Sequence, residues 1–156
     1  MAMMRSFTNS LSKKYPFLPL FCAIITAVVI IDQVLKQLIF NIRPQLDLGI
    51  LDIILVKNTG AGFGMLQGQN TVLAAIFVLA AIGIIWKYRD IPAERWPQVF
   101  FALLLGGVMG NGLDRIFRTF VIDFISFSFW PAFNIVDSAI SIAAVGLIIY
   151  FWNHEK

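Results

Sequence analysis

Four apolar runs, each near the length of one bilayer crossing, constrain this chain more than any other feature. They span residues of about 17–40, 71–88, 96–113 and 135–152. A helix needs about 20 residues to cross about 30 Å of hydrocarbon. The second and third runs are slightly short, and Trp86, Tyr88 and Trp96 beside them are suited to the bilayer interface. Only 13% of the 156 residues are charged, against roughly 25% in a soluble domain. The pattern predicts an α-helical integral membrane protein with four transmembrane helices, folded as one membrane-embedded domain over residues 1–156.

The first run has a basic lead-in at Arg5, Lys13 and Lys14, as a secretory signal would. No small-residue cleavage site follows it and three more runs do, so it reads as a retained span. Four spans put both termini and the loop K-Y-R-D-I-P-A-E-R on one side. That side carries seven basic residues: Arg5, Lys13, Lys14, Lys87, Arg89, Arg95 and Lys156. The other carries five: Lys36, Arg43, Lys57, Arg115 and Arg118. The bias favours cytoplasmic termini. Two segments then lie outside, residues 41–70 and 114–131. Both contain β-branched or alternating stretches, L-G-I-L-D-I-I-L-V and T-F-V-I-D-F-I-S-F-S-F. Strand edges cannot face lipid, so these pieces are expected to pair with each other or lie at headgroup level.

Several chemistries are disfavoured by what the chain lacks. The one cysteine, Cys22, lies in an apolar run, which rules out an internal disulfide and reads as a small buried hydrophobe. The one histidine, His154, is in the C-terminal tail, which argues against Ser-His or Cys-His catalysis and histidine metal sites. No metal or cofactor is expected. A net charge of +3 without a basic run gives no support for nucleic-acid binding. Carboxylates, amides, Lys and Arg are left to carry the function.

Those groups converge at one depth. Asp32 and Lys36 end the first span; Asn58 and Gly60 follow in the outer loop. Asn111, Asp114 and Arg115 end the third span; Asp123 lies in the second outer segment; Asn134 and Asp137 begin the fourth. Asp32 and Lys36 are spaced i, i+4 and share a helix face, as do Asn111, Asp114 and Arg115 at i, i+3, i+4. Plainer readings exist for most of them. Asp32 with Lys36 fits a helix-end ion pair, Asp114 and Arg115 fit interfacial snorkelling, and the glycines from Gly106 to Gly112 fit close helix contact. Asp123 and Asp137 are harder to place. An ionised Asp at mid-bilayer costs about 2.5–3.5 kcal/mol, and no Lys or Arg lies within four residues of Asp137. Two such carboxylates brought together would titrate apart and could activate water. The same residues would equally serve an ion or proton path in a small transporter, or glue helices together.

The segments D-Q-V-L-K, N-T-G-A-G-F-G, G-G-V-M-G-N-G-L-D-R, V-I-D-F and W-P-A-F-N-I-V-D-S-A-I, in this order, resemble lipoprotein signal peptidase (signal peptidase II). The resemblance runs from about Asp32 through the fourth span. It implies a bacterial inner-membrane aspartic endopeptidase, working without metal and as a monomer. Such an enzyme cuts diacylglyceryl-modified prolipoproteins just before the lipidated cysteine. Asp123 and Asp137 would be the catalytic pair. Asn58, Gly60, Asn111, Arg115 and Asn134 would surround the cleft, with Asp32, Lys36 and Asp114 in support. The outer segments would form a β-like platform and a mobile flap near the extracytoplasmic face. Three positions depart from the usual pattern: Gly62 and Val136 replace alanines, and Thr119 replaces a glycine. Val136 is expected to add bulk beside Asp137, and Thr119 to alter the turn before Asp123.

Overall fold

A computed structural model describes residues 14–154 of the chain. Arg5, Lys13 and Lys156, used above to orient the chain, lie outside them. The four expected spans are helices, long and apolar enough to cross a membrane. Helix α1 covers Leu18–Ile42, α2 Asn70–Trp86, α3 Arg95–Phe117 and α4 Ile135–His154. A short 3-10 turn, Lys87–Asp90, extends α2. Helix α1 opens with Pro19 in its first turn, where the missing N–H costs nothing. It stops at Arg43, which takes a left-handed conformation and returns its N–H to the Ile39 carbonyl, just before Pro44.

Helix α3 is the centre of the bundle. More than half of its apolar window is buried, against 11% of that of α1 and 6% of that of α2. Its glycines account for this position. A Cβ built on Gly106 would meet the Val28 side chain of α1 at 3.0 Å. One on Gly107 would meet the Val136 carbonyl of α4 at 2.9 Å, and one on Gly110 would touch both Asp32 and Val136. Close approach is what these glycines provide, as their spacing suggested. The outer faces of α1, α2 and α4 present Ile30, Val34, Leu79, Ile85, Ile148 and Trp152, all exposed, to the bilayer. Near the chain termini, Phe21, Ile91, Ala102 and Leu105 pack with Ile24, Ile25, Ala81 and Phe101 into an apolar core. Polar groups are gathered at the opposite end.

That opposite end is roofed by a four-stranded antiparallel sheet in the order β1-β2-β3-β4. The strands are β1 Gln45–Asp47, β2 Leu51–Asn58, β3 Val121–Phe127 and β4 Trp130–Phe133. The two outer segments do pair with each other: Val56 stands opposite Asp123, and Asn58 opposite Val121. Strand β3 is interior, and Val121, Ile122, Asp123 and Phe124 are all buried. Side chains alternate along a strand. Val121 and Asp123 therefore share a face, and both line the cleft described below.

Helix α3 runs one turn beyond the expected boundary at Leu113. Apolarity fades there, but the helix ends only where the backbone turns, at Thr119. That residue takes φ 66°, a left-handed conformation poorly suited to a β-branched side chain. The turn that glycine would favour is thus formed by threonine all the same, at a conformational cost. Gly62 is benign, since a Cβ there would meet nothing within 4 Å. We predict that Thr119→Gly stabilises the protein by about 1 kcal/mol, the left-handed strain relieved less the added chain entropy. Thermal unfolding in detergent should show a Tm raised by a few degrees, and an unchanged or lower Tm would contradict it.

Candidate active site

The cleft under the sheet has a volume of about 540 Å³. Asn58, Gly60, Asn111, Arg115, Asp123 and Asp137 all line it, from four different elements and the loop after β2. Asn134, Asp32, Lys36 and Asp114 lie directly behind, each 0% exposed. All ten residues singled out in the sequence are thus brought to one end of the bundle.

Asp123 accepts hydrogen bonds on both carboxylate oxygens. Asn58 Nδ2 donates to Oδ2 at 2.8 Å, and Asn134 Nδ2 to Oδ1 at 2.7 Å. Burial first, and then the charge of Asp137, push the Asp123 carboxyl from 3.8 up to about 6. The amide bonds from Asn58 and Asn134 oppose that rise, as does the more distant Lys36 charge. Asp137 is held just as fully. Asn111 Nδ2 donates to its Oδ1 at 2.8 Å, and the Asn134 backbone N–H donates to its Oδ2 at 3.0 Å. The Asp137 N–H returns the bond to Asn134 Oδ1 at 3.1 Å. This reciprocal pair is a capping box at the start of α4. It answers why a carboxylate stands at the head of an apolar helix: Asp137 satisfies a backbone donor that lipid cannot. Asn134 consequently touches both carboxylates.

Behind the cleft, Lys36 lies between Asp32 Oδ2 at 2.8 Å and Asp114 Oδ2 at 2.9 Å. Asp32 and Lys36 do form the i, i+4 ion pair their spacing suggested, but it is buried and shared with Asp114. The snorkelling reading of Asp114 and Arg115 is corrected, because tertiary packing buries both. Arg115 is 3% exposed, donates from one terminal nitrogen to the Gly60 carbonyl at 2.5 Å, and stands over the Phe77 ring. Its Nε and other terminal nitrogen have no protein partner. Gly60 permits this contact because any Cβ there would lie 2.8 Å from the Met65 carbonyl. Val136 is corrected as well: it is fully buried against Gly110 and does not line the cleft. Its bulk goes into helix packing. Cys22, read as buried, is exposed on the outer face of α1.

Sequence reasoning passed over four contributors. Gln33 donates to Asp32 and Asp114, and Arg118 donates to Asp114 and to Gln33. Arg118 lies four residues after Asp114, a helical spacing that could have flagged it. Phe77 and Asn70, from α2, carry no local signal. Asn70 donates to the Arg115 carbonyl at 2.9 Å, tying α2 to α3.

Bundle, roof and cleft together define a multi-pass membrane protein with a polar, carboxylate-bearing chamber at one end. The sequence profile of the family described as Signal peptidase (SPase) II matches residues 24–153. A lipoprotein signal peptidase of Geobacillus kaustophilus is 39% identical over 142 residues, covering 83% of this chain and 90% of the relative. One from Halothermothrix orenii is 30% identical, covering 85% and 95%. A solved structure, described as a bacterial membrane enzyme determined in meso at 2.3 Å resolution, superposes with a TM-score of 0.84. Its identity is 29%, and the match covers 90% of this chain and 92% of that one. The chain belongs to the signal peptidase II family and is a multi-pass membrane protease of bacterial type.

The raised Asp123 carboxyl has a consequence for stability. An acid whose folded pKa lies above its unfolded value contributes stability that is complete below the unfolded value, here 3.8. That contribution is lost as pH rises through about 6. We expect the thermal stability of the wild type to fall between pH 4 and 7 relative to Asp123→Asn, whose curve should lack that slope. Parallel curves for the two proteins would refute the assignment.

Proposed function

We propose that this protein is an aspartic endopeptidase that removes signal peptides from lipoprotein precursors, with Asp123 and Asp137 as its catalytic pair. One observation carries the reading: both carboxylates line a single cleft and are joined through Asn134, by its side chain to one and its backbone N–H to the other. A water between them would attack the scissile carbonyl carbon. One carboxylate takes the water's proton while the other, protonated, donates to the carbonyl oxygen. Collapse of the tetrahedral species breaks the C–N bond, and the amine leaves with a proton from the pair. Titrating near 6, Asp123 is suited to hold the shared proton. Arg115 lines the cleft, and its guanidinium is suited to backbone carbonyls of an extended substrate.

Placement of the cleft supports the substrate class. A signal helix lying in the bilayer delivers its end to the interface, where helix ends and sheet meet here. We place the cut just before a diacylglyceryl-modified cysteine, whose acyl chains stay in lipid beside α4. We read the loop 59–69, which walls the cleft, as the flap. We place both termini in the cytoplasm and the cleft at the extracytoplasmic face of the inner membrane. Of the five basic residues on the cleft side, Lys36 and Arg115 are buried in the protein, which leaves three; among the described residues the other end carries four, Lys14, Lys87, Arg89 and Arg95. One copy supplies every group named, which fits a monomer.

Asp123→Asn and Asp137→Asn should each reduce cleavage of a diacylglyceryl-modified precursor by on the order of 10³-fold or more, with the fold retained. A gel-shift assay beside thermal unfolding measures both. Wild-type turnover by either variant would remove that residue from the chemistry.

A further inference from the structure

Lys36 is an odd group to bury. It is 0% exposed and meets two polar residues of α3, of which Asn111 is 75 positions away. Its ammonium has three protons, and three acceptors surround it: Asp32 Oδ2 at 2.8 Å, Asp114 Oδ2 at 2.9 Å and Asn111 Oδ1 at 3.1 Å. Charge balance does not need the third contact. Two carboxylates, Asp32 and Asp114, are already matched by Lys36 and by Arg118, which pairs with Asp114.

The third contact fixes the direction of an amide. Asn111 Oδ1 accepts from Lys36 Nζ and from Asn134 Nδ2 at 3.1 Å. Its Nδ2 is thereby turned toward Asp137, to which it donates at 2.8 Å. A flipped amide would set NH₂ against an ammonium and another NH₂, and a carbonyl oxygen against a carboxylate. Both ends would be repulsive in surroundings where water cannot compensate. The same cluster reaches the other carboxylate through the backbone. Asp114 Oδ2, held by Lys36, accepts the N–H of Ile122 at 3.3 Å, the residue before Asp123.

We infer that Lys36 is a positioning residue: it locks the Asn111 amide so that an N–H always faces Asp137, and so fixes the orientation in which Asp137 meets water. The inference rests on the proposed role of Asp137. Lys36 touches neither substrate nor reacting atoms. Its influence should fall on turnover rather than on substrate binding.

The test must separate this role from plain charge neutralisation. Lys36→Met combined with Asp32→Asn removes one charge of each sign and keeps the cluster balanced. Cleavage of a diacylglyceryl-modified precursor should show kcat lowered about 10²-fold with KM unchanged, while Tm stays near the wild-type value. Adding Asn111→Ala should lower kcat no further, because both changes break one relay. Lys36→Gln with Asp32→Asn retains an N–H donor and should recover at least tenfold of the lost kcat. Full wild-type kcat in the Met pair overturns the inference, as does a multiplicative loss on adding Asn111→Ala. So does failure of both balanced pairs to fold, which would make Lys36 a folding group. If the wild type cleaves and the Asp variants do not, the proposed function stands whichever way the relay falls; an inactive wild type sinks the function itself.

Discussion

A lysine ammonium clasped between two carboxylates, beyond the reach of water, is the interaction on which this structure depends. Lys36 and Asp32 come from α1 and Asp114 from α3, and none is exposed. Removing one partner of such a cluster leaves an uncompensated buried charge, a loss of about 3–5 kcal/mol. The cluster therefore dictates that α1 and α3 lie side by side in one register. Gly106 and Gly110 on α3 make that approach sterically possible. Packing and electrostatics specify the same contact, the kind of agreement that gives a chain one native state.

From that contact the cleft is built outward by amides. Asn58, Asn111 and Asn134 each place an N–H on a carboxylate oxygen and each arise from a different element. An amide carries both a donor and an acceptor without charge, so it can join charged groups without adding another buried ion. Asn134 is the junction, since one residue contacts both carboxylates and also caps α4. Stability of the helix start and geometry of the cleft are here the same hydrogen bonds. Arg115 differs: it lines the chamber, yet its Nε and one terminal nitrogen are buried without a protein partner.

Much of this was legible without coordinates. The apolar runs gave the four helices within a few residues, because hydrocarbon thickness and backbone hydrogen bonding leave a helix almost no alternatives. The even number of crossings between the polar segments placed those groups at one depth. Boundaries were less visible: α3 outran its apolar stretch by one turn, since Asp114 and Arg115 of that turn are buried inside the protein rather than in lipid. Thr119 shows a local preference overruled, a β-branched residue held at φ 66° because the chain must turn there from helix to strand. Val136 was expected to add bulk beside Asp137, yet one residue along a helix is about 100° of rotation, enough to point it into the helix interface.

The sequence by itself determined that the chain crosses a membrane four times, that its polar residues share one end, and which acids stand in need of partners. These follow from composition and spacing, properties of short stretches that neighbours cannot alter. Tertiary structure alone decided which partners come from distant parts of the chain. The Lys36 contact to Asn111 joins residues 75 positions apart, the Gln33 contact to Asp114 residues 81 apart and the Arg118 contact to Gln33 residues 85 apart. Hydrogen bonds and ion pairs act over a few ångströms and require particular angles. Only the rotation and register of packed helices and strands set those, and no local pattern in the chain records them.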